Sequence, residues 1–107
     1  MAIDPQLAQD CYNRLAHLDG LSERKMFGGL CFMQHGNMVC GVSGDGLMIR
    51  VGKANMDNAL ALPDVEPMEM GGRRMGGFAS TSHDTSDKVV DTLFDMAREF
   101  VRSLPAK

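Results

Sequence analysis

The sequence has no run of apolar residues approaching the ~20 that a membrane-crossing helix needs, so no such helix is expected. Its first residues, MAIDPQLAQD, lack a basic stretch followed by an apolar one and do not read as a signal peptide. Cysteine is scarce and odd in number. Cys11, Cys31 and Cys40 have no paired spacing, which argues against a disulfide framework and for reduced thiols in a cytoplasm. Positive charge is also short: 11 Lys and Arg stand against 14 Asp and Glu, a net charge of −3. No tight direct DNA binding is therefore expected. What is present suits a folded domain, with 107 residues, 44% hydrophobic and 23% charged. That composition excludes disorder. The length fits one domain over residues 1–107. Folding at this size buries roughly 65% of the chain's surface, enough for a core without disulfides or zinc.

The hydrophobic spacing predicts a helix at each end. Asp4 and Pro5 make a capped start, Leu7, Cys11, Leu15 and Leu18 recur on one stripe, and Gly20 terminates it. The last helix begins near Asp84 to Ser86. Its stripe is Val89, Val90, Leu93, Phe94, Ala97, Phe100, Val101 and Leu104, with Pro105 as its end and Arg98 and Arg102 at the negative end of its dipole. After Gly52, KANMDNALAL has helical composition and stops before Pro63.

Between these lie strands. Gly36-Asn37 and Asp45-Gly46 are two-residue hairpin signals flanked by apolar residues, which predicts a three-stranded meander. With those turns, Met33 faces Cys40, Cys31 faces Val42, Val42 faces Ile49 and Cys40 faces Val51. Cys31, Met33, Cys40, Val42, Leu47, Ile49 and Val51 then share an apolar core face, and Leu30, Phe32, Gln34, Val39, Gly41, Ser43, Met48 and Arg50 share a mixed one. Two short strands follow, roughly Glu66 to Met70 and Gly77 to Ser82, around the turn GGRRMGG. The fold class is α+β, a single domain ordered helix, three-stranded antiparallel meander, helix, two strands, helix, with the sheet packed by the terminal helices.

Four constellations bear on chemistry. Cys31, Met33, His35, Met38 and Cys40 have the donor types of a soft-metal site, yet the C-x₃-H-x₄-C spacing matches no standard structural zinc pattern, and the face continues as ordinary core. No metal or other cofactor is assigned. No cysteine has a histidine partner suited to nucleophilic catalysis and no carboxylate pair suits acid–base work, so the chain reads as a non-enzyme. GGRRMGG places Arg73 and Arg74 beside glycine amides, a candidate anion or partner loop, although the Walker ending is missing. The mixed face is the candidate partner surface, with Leu30, Phe32, Val39, Met48 and Arg50 as its residues. Leu30, Phe32, Val39 and Met48 are too many apolar groups for a face wholly in water, and adaptable methionine surfaces often serve protein partners.

ERKMFGGLCFMQHGNMVCGVSGDGLMIRVG resembles the signature of the N-terminal domain of TfoX/Sxy-type proteins. PMEMGGRRMGGF resembles a second segment of that family, and SLPAK is similar to the ending of its standalone members. The resemblance implies an α+β fold of the secretion-chaperone-like kind, among which dimers are frequent. It also implies regulation of natural competence and transcription, exercised with the cyclic-AMP receptor protein at promoters. Those regulators carry a second, helical C-terminal domain, and this chain ends where that domain would begin. The expectation is a cytoplasmic regulatory module without catalytic residues. It would act through protein contacts with transcription machinery or a regulator, and as a homodimer. The alternative is a small-ligand or metal-binding protein, or a cryptic enzyme, using GGRRMGG or the Cys/Met hairpin face.

Overall fold

Ser86 starts the last helix as its side chain requires: its Oγ accepts a hydrogen bond from Val89 N at 3.3 Å. That helix, α3 (Asp87–Arg102), buries Val89, Val90, Leu93, Phe94, Ala97 and Val101, the stripe expected from helical spacing. The computed structural model describes residues 5–26, 29–43, 46–70, 72–82 and 85–105. The first helix, α1 (Pro5–Leu15), buries Cys11 and Leu15. Its expected cap Asp4 lies outside the described residues, as does Asp84, where the expected start of α3 began. A short 3₁₀ turn (Lys53–Asn55) leads into α2 (Met56–Leu60), in the segment of helical composition.

The strands are β1 (Leu21–Met26), β2 (Gly29–Gln34), β3 (Asn37–Ser43), β4 (Gly46–Arg50), β5 (Glu66–Met70) and β6 (Arg73–Thr81). They form one antiparallel sheet in the order β1-β2-β3-β4-β6-β5. The α+β class and the helix-covered sheet are as the sequence predicts. The core joins Cys11 and Leu15 of α1, Ala59 of α2 and the stripe of α3 to Phe32, Val39, Cys40, Val42, Leu47, Ile49, Val51 and Ala79. All three helices therefore pack on one face of the sheet.

Three expectations need correction. First, β1 is an additional strand. LSERKM has too little apolar alternation to announce itself, and charged residues suit an edge strand because they discourage pairing with other chains. Second, GGRRMGG is not a loop as a whole. β6 begins at Arg73, so Arg73 and Arg74 belong to a strand and pair with Met70 and Glu69. Their side chains lie outside the described residues.

Third, the register differs from the expected one. The first hairpin turns on His35-Gly36, both at positive φ (49° and 82°), and Gln34 pairs with Asn37. Two tertiary hydrogen bonds accompany this turn: His35 N donates to Gly20 O at 3.1 Å, and Asn37 Nδ2 donates to Pro105 O at 2.9 Å. Met33 then faces Met38, but Phe32 faces Cys40, because Val39 is the extra residue of a β-bulge. A bulge moves one strand by a single residue against its partner, and a single residue exchanges the two faces. Beyond the bulge, Phe32 and Leu30 accordingly lie on the helix-covered side with Cys40 and Val42. Cys31 lies on the other. In the second hairpin Val42 faces Leu47 and Cys40 faces Ile49, a shift of two residues that leaves the faces as expected.

Candidate protein-contact face

The consequence for the expected partner surface is direct. Phe32 is 1% exposed and Val39 0%, and both belong to the main core. Leu30 packs partly buried against it. These three residues are under the helices and not on an open face. Arg50 stands at the end of β4, its guanidinium carbon 5.9 Å from the centre of the Phe78 ring and 5.4 Å from that of Phe100, with Nη1 3.5 Å from Met38 O. Its charge is spent on aromatic faces and backbone within the domain. Of the five, Met48 and Arg50, two residues apart on β4, lie on the side that no described helix covers.

The open side can be built from the pairing. Cross-strand partners share a face, and alternate residues along a strand return to it. Arg24 pairs with Cys31, Cys31 with Gly41, Gly41 with Met48, Met48 with Ser80, and Ser80 with Glu66. One continuous row thus crosses all six strands. Space above Gly41 confirms the sidedness: a Cβ there would lie 3.3 Å from Cys31 Sγ, 3.3 Å from Met48 Cε and 3.4 Å from Met38 Cε. Cys31, Met38 and Met48 therefore meet over the glycine, and Met33, opposite Met38, extends the group. Phe78 lies two residues from Ser80 on β6. Among the described residues the centre of the face is rich in sulfur, with Cys31 and Met48 buried and Met33, Met38 and Phe78 half-buried, while Arg24 on β1 and Glu66 on β5 are exposed.

The same geometry separates the soft donor set. Cys40 lies among the helices and Cys31 on the open face, while His35 is exposed at the turn. The sheet stands between the two sulfurs, so the five residues do not converge. Nor is either thiol activated. Burial pushes the Cys31 thiol up. Burial also pushes Cys40 well up, reinforced by its hydrogen bond and proximity to Cys11 and by Cys31, against a smaller opposing effect of Arg14. A thiol held in its protonated form is a poor nucleophile and a poor ligand.

A polar groove of about 380 Å³ runs between the end of α1 and the last turns of α3, lined by His17, Gln34, Asp95, Arg98, Glu99 and Arg102. Gln34 Oε1 is buried there without a hydrogen-bond partner. Arg98, however, is bound to Asp95 and donates to Arg14 O, and acids alternate with bases along α3. The groove concentrates no charge of one sign and makes a weaker candidate than the open face.

Sequence reasoning missed Cys31, Met33, Met38 and Phe78 as members of this face. The alternation was visible, but a one-residue bulge leaves no mark in a single sequence. No helix is long and apolar enough to cross a membrane among the described residues. No curated protein and no solved structure matches the chain. The model of the TfoX N-terminal domain matches residues 13–104, nearly the whole chain. With its α+β architecture and signature segments in β1 to β4 and β5 to β6, the chain belongs to the TfoX N-terminal domain family.

Proposed function

We propose that this domain is a non-catalytic, cytoplasmic regulatory module of the kind its family resemblance implies, acting on transcription or natural competence through protein contacts. The observation that carries the reading is the family match over residues 13–104; beside it, Cys31, Met33, Met38, Met48 and Phe78 are gathered on the side of the sheet away from the described helices. Cys31 and Met48 are buried, and the half-buried Met33, Met38 and Phe78 leave part of their apolar surface in water, where gathered apolar groups mark interaction sites. Methionine suits that use because its unbranched, polarisable side chain re-packs against different partners. The high thiol pKa values of Cys31 and Cys40 support a non-catalytic role for these sulfurs.

The test is genetic with a structural control. A deletion strain of the native host is complemented with the parent or with a Met33→Glu/Met38→Glu variant, and transcript profiles are compared. Circular dichroism and a urea midpoint show that the variant is folded. The parent restores the profile and the folded variant does not. A folded variant that restores the profile overturns the assignment of regulation to this face.

A further inference from the structure

Gln34 is the last residue of β2, two beyond Phe32 and so on the helix side of the sheet, where the core gives way near the C-terminal ends of α1 and α3. The residue is 8% exposed, and its Oε1 is buried without a hydrogen-bond partner. Buried polar atoms are almost always paired, so an orphan acceptor calls for a donor from outside the chain. Gln34 lines two grooves of about 380 Å³ each, which share His17, Leu18 and Arg102 as well. That volume is in the range of small-molecule sites. We propose that the groove over Gln34 binds a small zwitterion of the amino-acid class, with Gln34 and Glu99 taking its ammonium group and Arg102 its carboxylate.

The charges around the groove specify the class. Arg98 and Asp95 are held by each other, and Arg98 also by Arg14 O. Glu99 and Arg102 stand one turn apart on α3, yet neither forms an ion pair among the described residues. The first groove therefore offers one free carboxylate, one free guanidinium and one buried acceptor. A ligand of a single sign satisfies one of the charged groups and is repelled by the other. A molecule with an ammonium at one end and a carboxylate at the other satisfies all three. The negative ends of the α1 and α3 dipoles add to the preference for an ammonium beside Gln34. The last torsion of a glutamine is broad and two-fold, so its oxygen turns into the groove without moving the backbone.

The site is on the helix side of the sheet and does not depend on the protein-contact reading, which concerns the opposite face. The balance of charge that weakens the groove as a seat for a protein suits a ligand without net charge. His17, Glu99 and Arg102 at its walls are exposed, so the ligand keeps part of its surface in water. The dissociation constant is accordingly modest, between about 10 µM and about 1 mM.

Amide chemical-shift titration of the intact, isotope-labelled chain tests this, with glycine, L-alanine, L-glutamine and L-glutamate as probes up to about 10 mM. N-acetylglycine and glycine amide, each lacking one charged pole, are the controls. At least one zwitterionic probe is expected to shift the amides of His17, Gln34 and Arg102 saturably, with its one-poled controls weaker by about tenfold or more. Gln34→Leu and Arg102→Gln are each expected to weaken that binding by about tenfold. Arg102 is exposed, so its substitution leaves the core intact and carries the test alone if Gln34→Leu does not fold. No saturable shift from any of the four probes overturns the proposal and leaves solvent as the partner of Gln34. Controls that bind as tightly as the zwitterion also overturn it, because they show a simple ion site. So does an Arg102→Gln variant that binds the probe like the parent.

Discussion

Arg14 Nε donates to Asp91 Oδ1 at 2.7 Å and thereby ties α1 to α3 across 77 residues of sequence. The two partners are not equal. The Arg14 side chain is 19% exposed and its guanidinium carbon lies 5.5 Å from the Phe94 ring centre, whereas Asp91 is 63% exposed. An exposed carboxylate contributes little through the pair alone, while the arginine also covers an aromatic ring and apolar surface. Asp91→Asn is expected to lower stability by no more than about 0.5 kcal/mol, and Arg14→Ala by about 1–2 kcal/mol, read from urea midpoints. Equal losses for the two would mean that the ion pair alone matters.

The bulge at Val39 makes adjacent residues of β2 respond in opposite ways. Phe32 is 1% exposed beneath the helices, and Phe32→Ala is expected to cost about 3–5 kcal/mol. Phe32→Glu should leave no cooperative unfolding transition, because a carboxylate would have no partner there. Met33 is on the open face and half-buried, so Met33→Glu stays folded. Near-ultraviolet circular dichroism and urea titration of both glutamate variants distinguish this register from an unbulged one, which reverses the two outcomes.

Gly52 combines a positive φ of 92° with a close approach to α3. A Cβ there would come within 2.6 Å of Phe100 Cδ1, so the half-buried ring would have to shift. Gly52→Ala is expected to destabilise by about 2–3 kcal/mol. Gly72, at φ 80°, has no atom within 4 Å of the corresponding position. Its alanine variant carries only the backbone penalty, about 1 kcal/mol. Thermal melts of the two single variants measure the difference.

The buried thiols make stability depend on alkaline pH. In the unfolded chain a thiol ionises near about pH 8.5. In the folded protein burial raises the values of Cys31 and, further, Cys40. The folded state therefore holds more protons than the unfolded state above that pH. Their contribution is full below about pH 8.5 and is lost as pH rises toward the folded values, by up to about 1.4 kcal/mol per pH unit for each thiol. Urea midpoints are expected to fall between about pH 8 and pH 9.5, and to fall less steeply in Cys40→Ala. Thiol labelling of the native protein at neutral pH should be slow for all three cysteines, which are buried. A flat profile would show that the thiols are not desolvated.

Local chemistry carried much of this molecule into its sequence. The stripes of α1 and α3, the Ser86 cap and the shared face of Cys40, Val42, Leu47, Ile49 and Val51 follow from periods of 3.6 and 2 that any reader of the chain can count. Those periods also imply helices against one side of an antiparallel sheet. The identity of the open side was a tertiary decision. Moving the first turn to His35-Gly36 goes with hydrogen bonds to Gly20 and Pro105, which lie 15 and 68 residues away along the chain. The extra residue at Val39 then turned Phe32 inward and Cys31 outward. A strand's alternation says which residues travel together, but the face they take depends on which partner residue they meet, and that is settled by packing against α1 and α3. The charged row from Arg24 to Glu66 has the same origin, since its six members come from six strands and become neighbours only when the sheet closes.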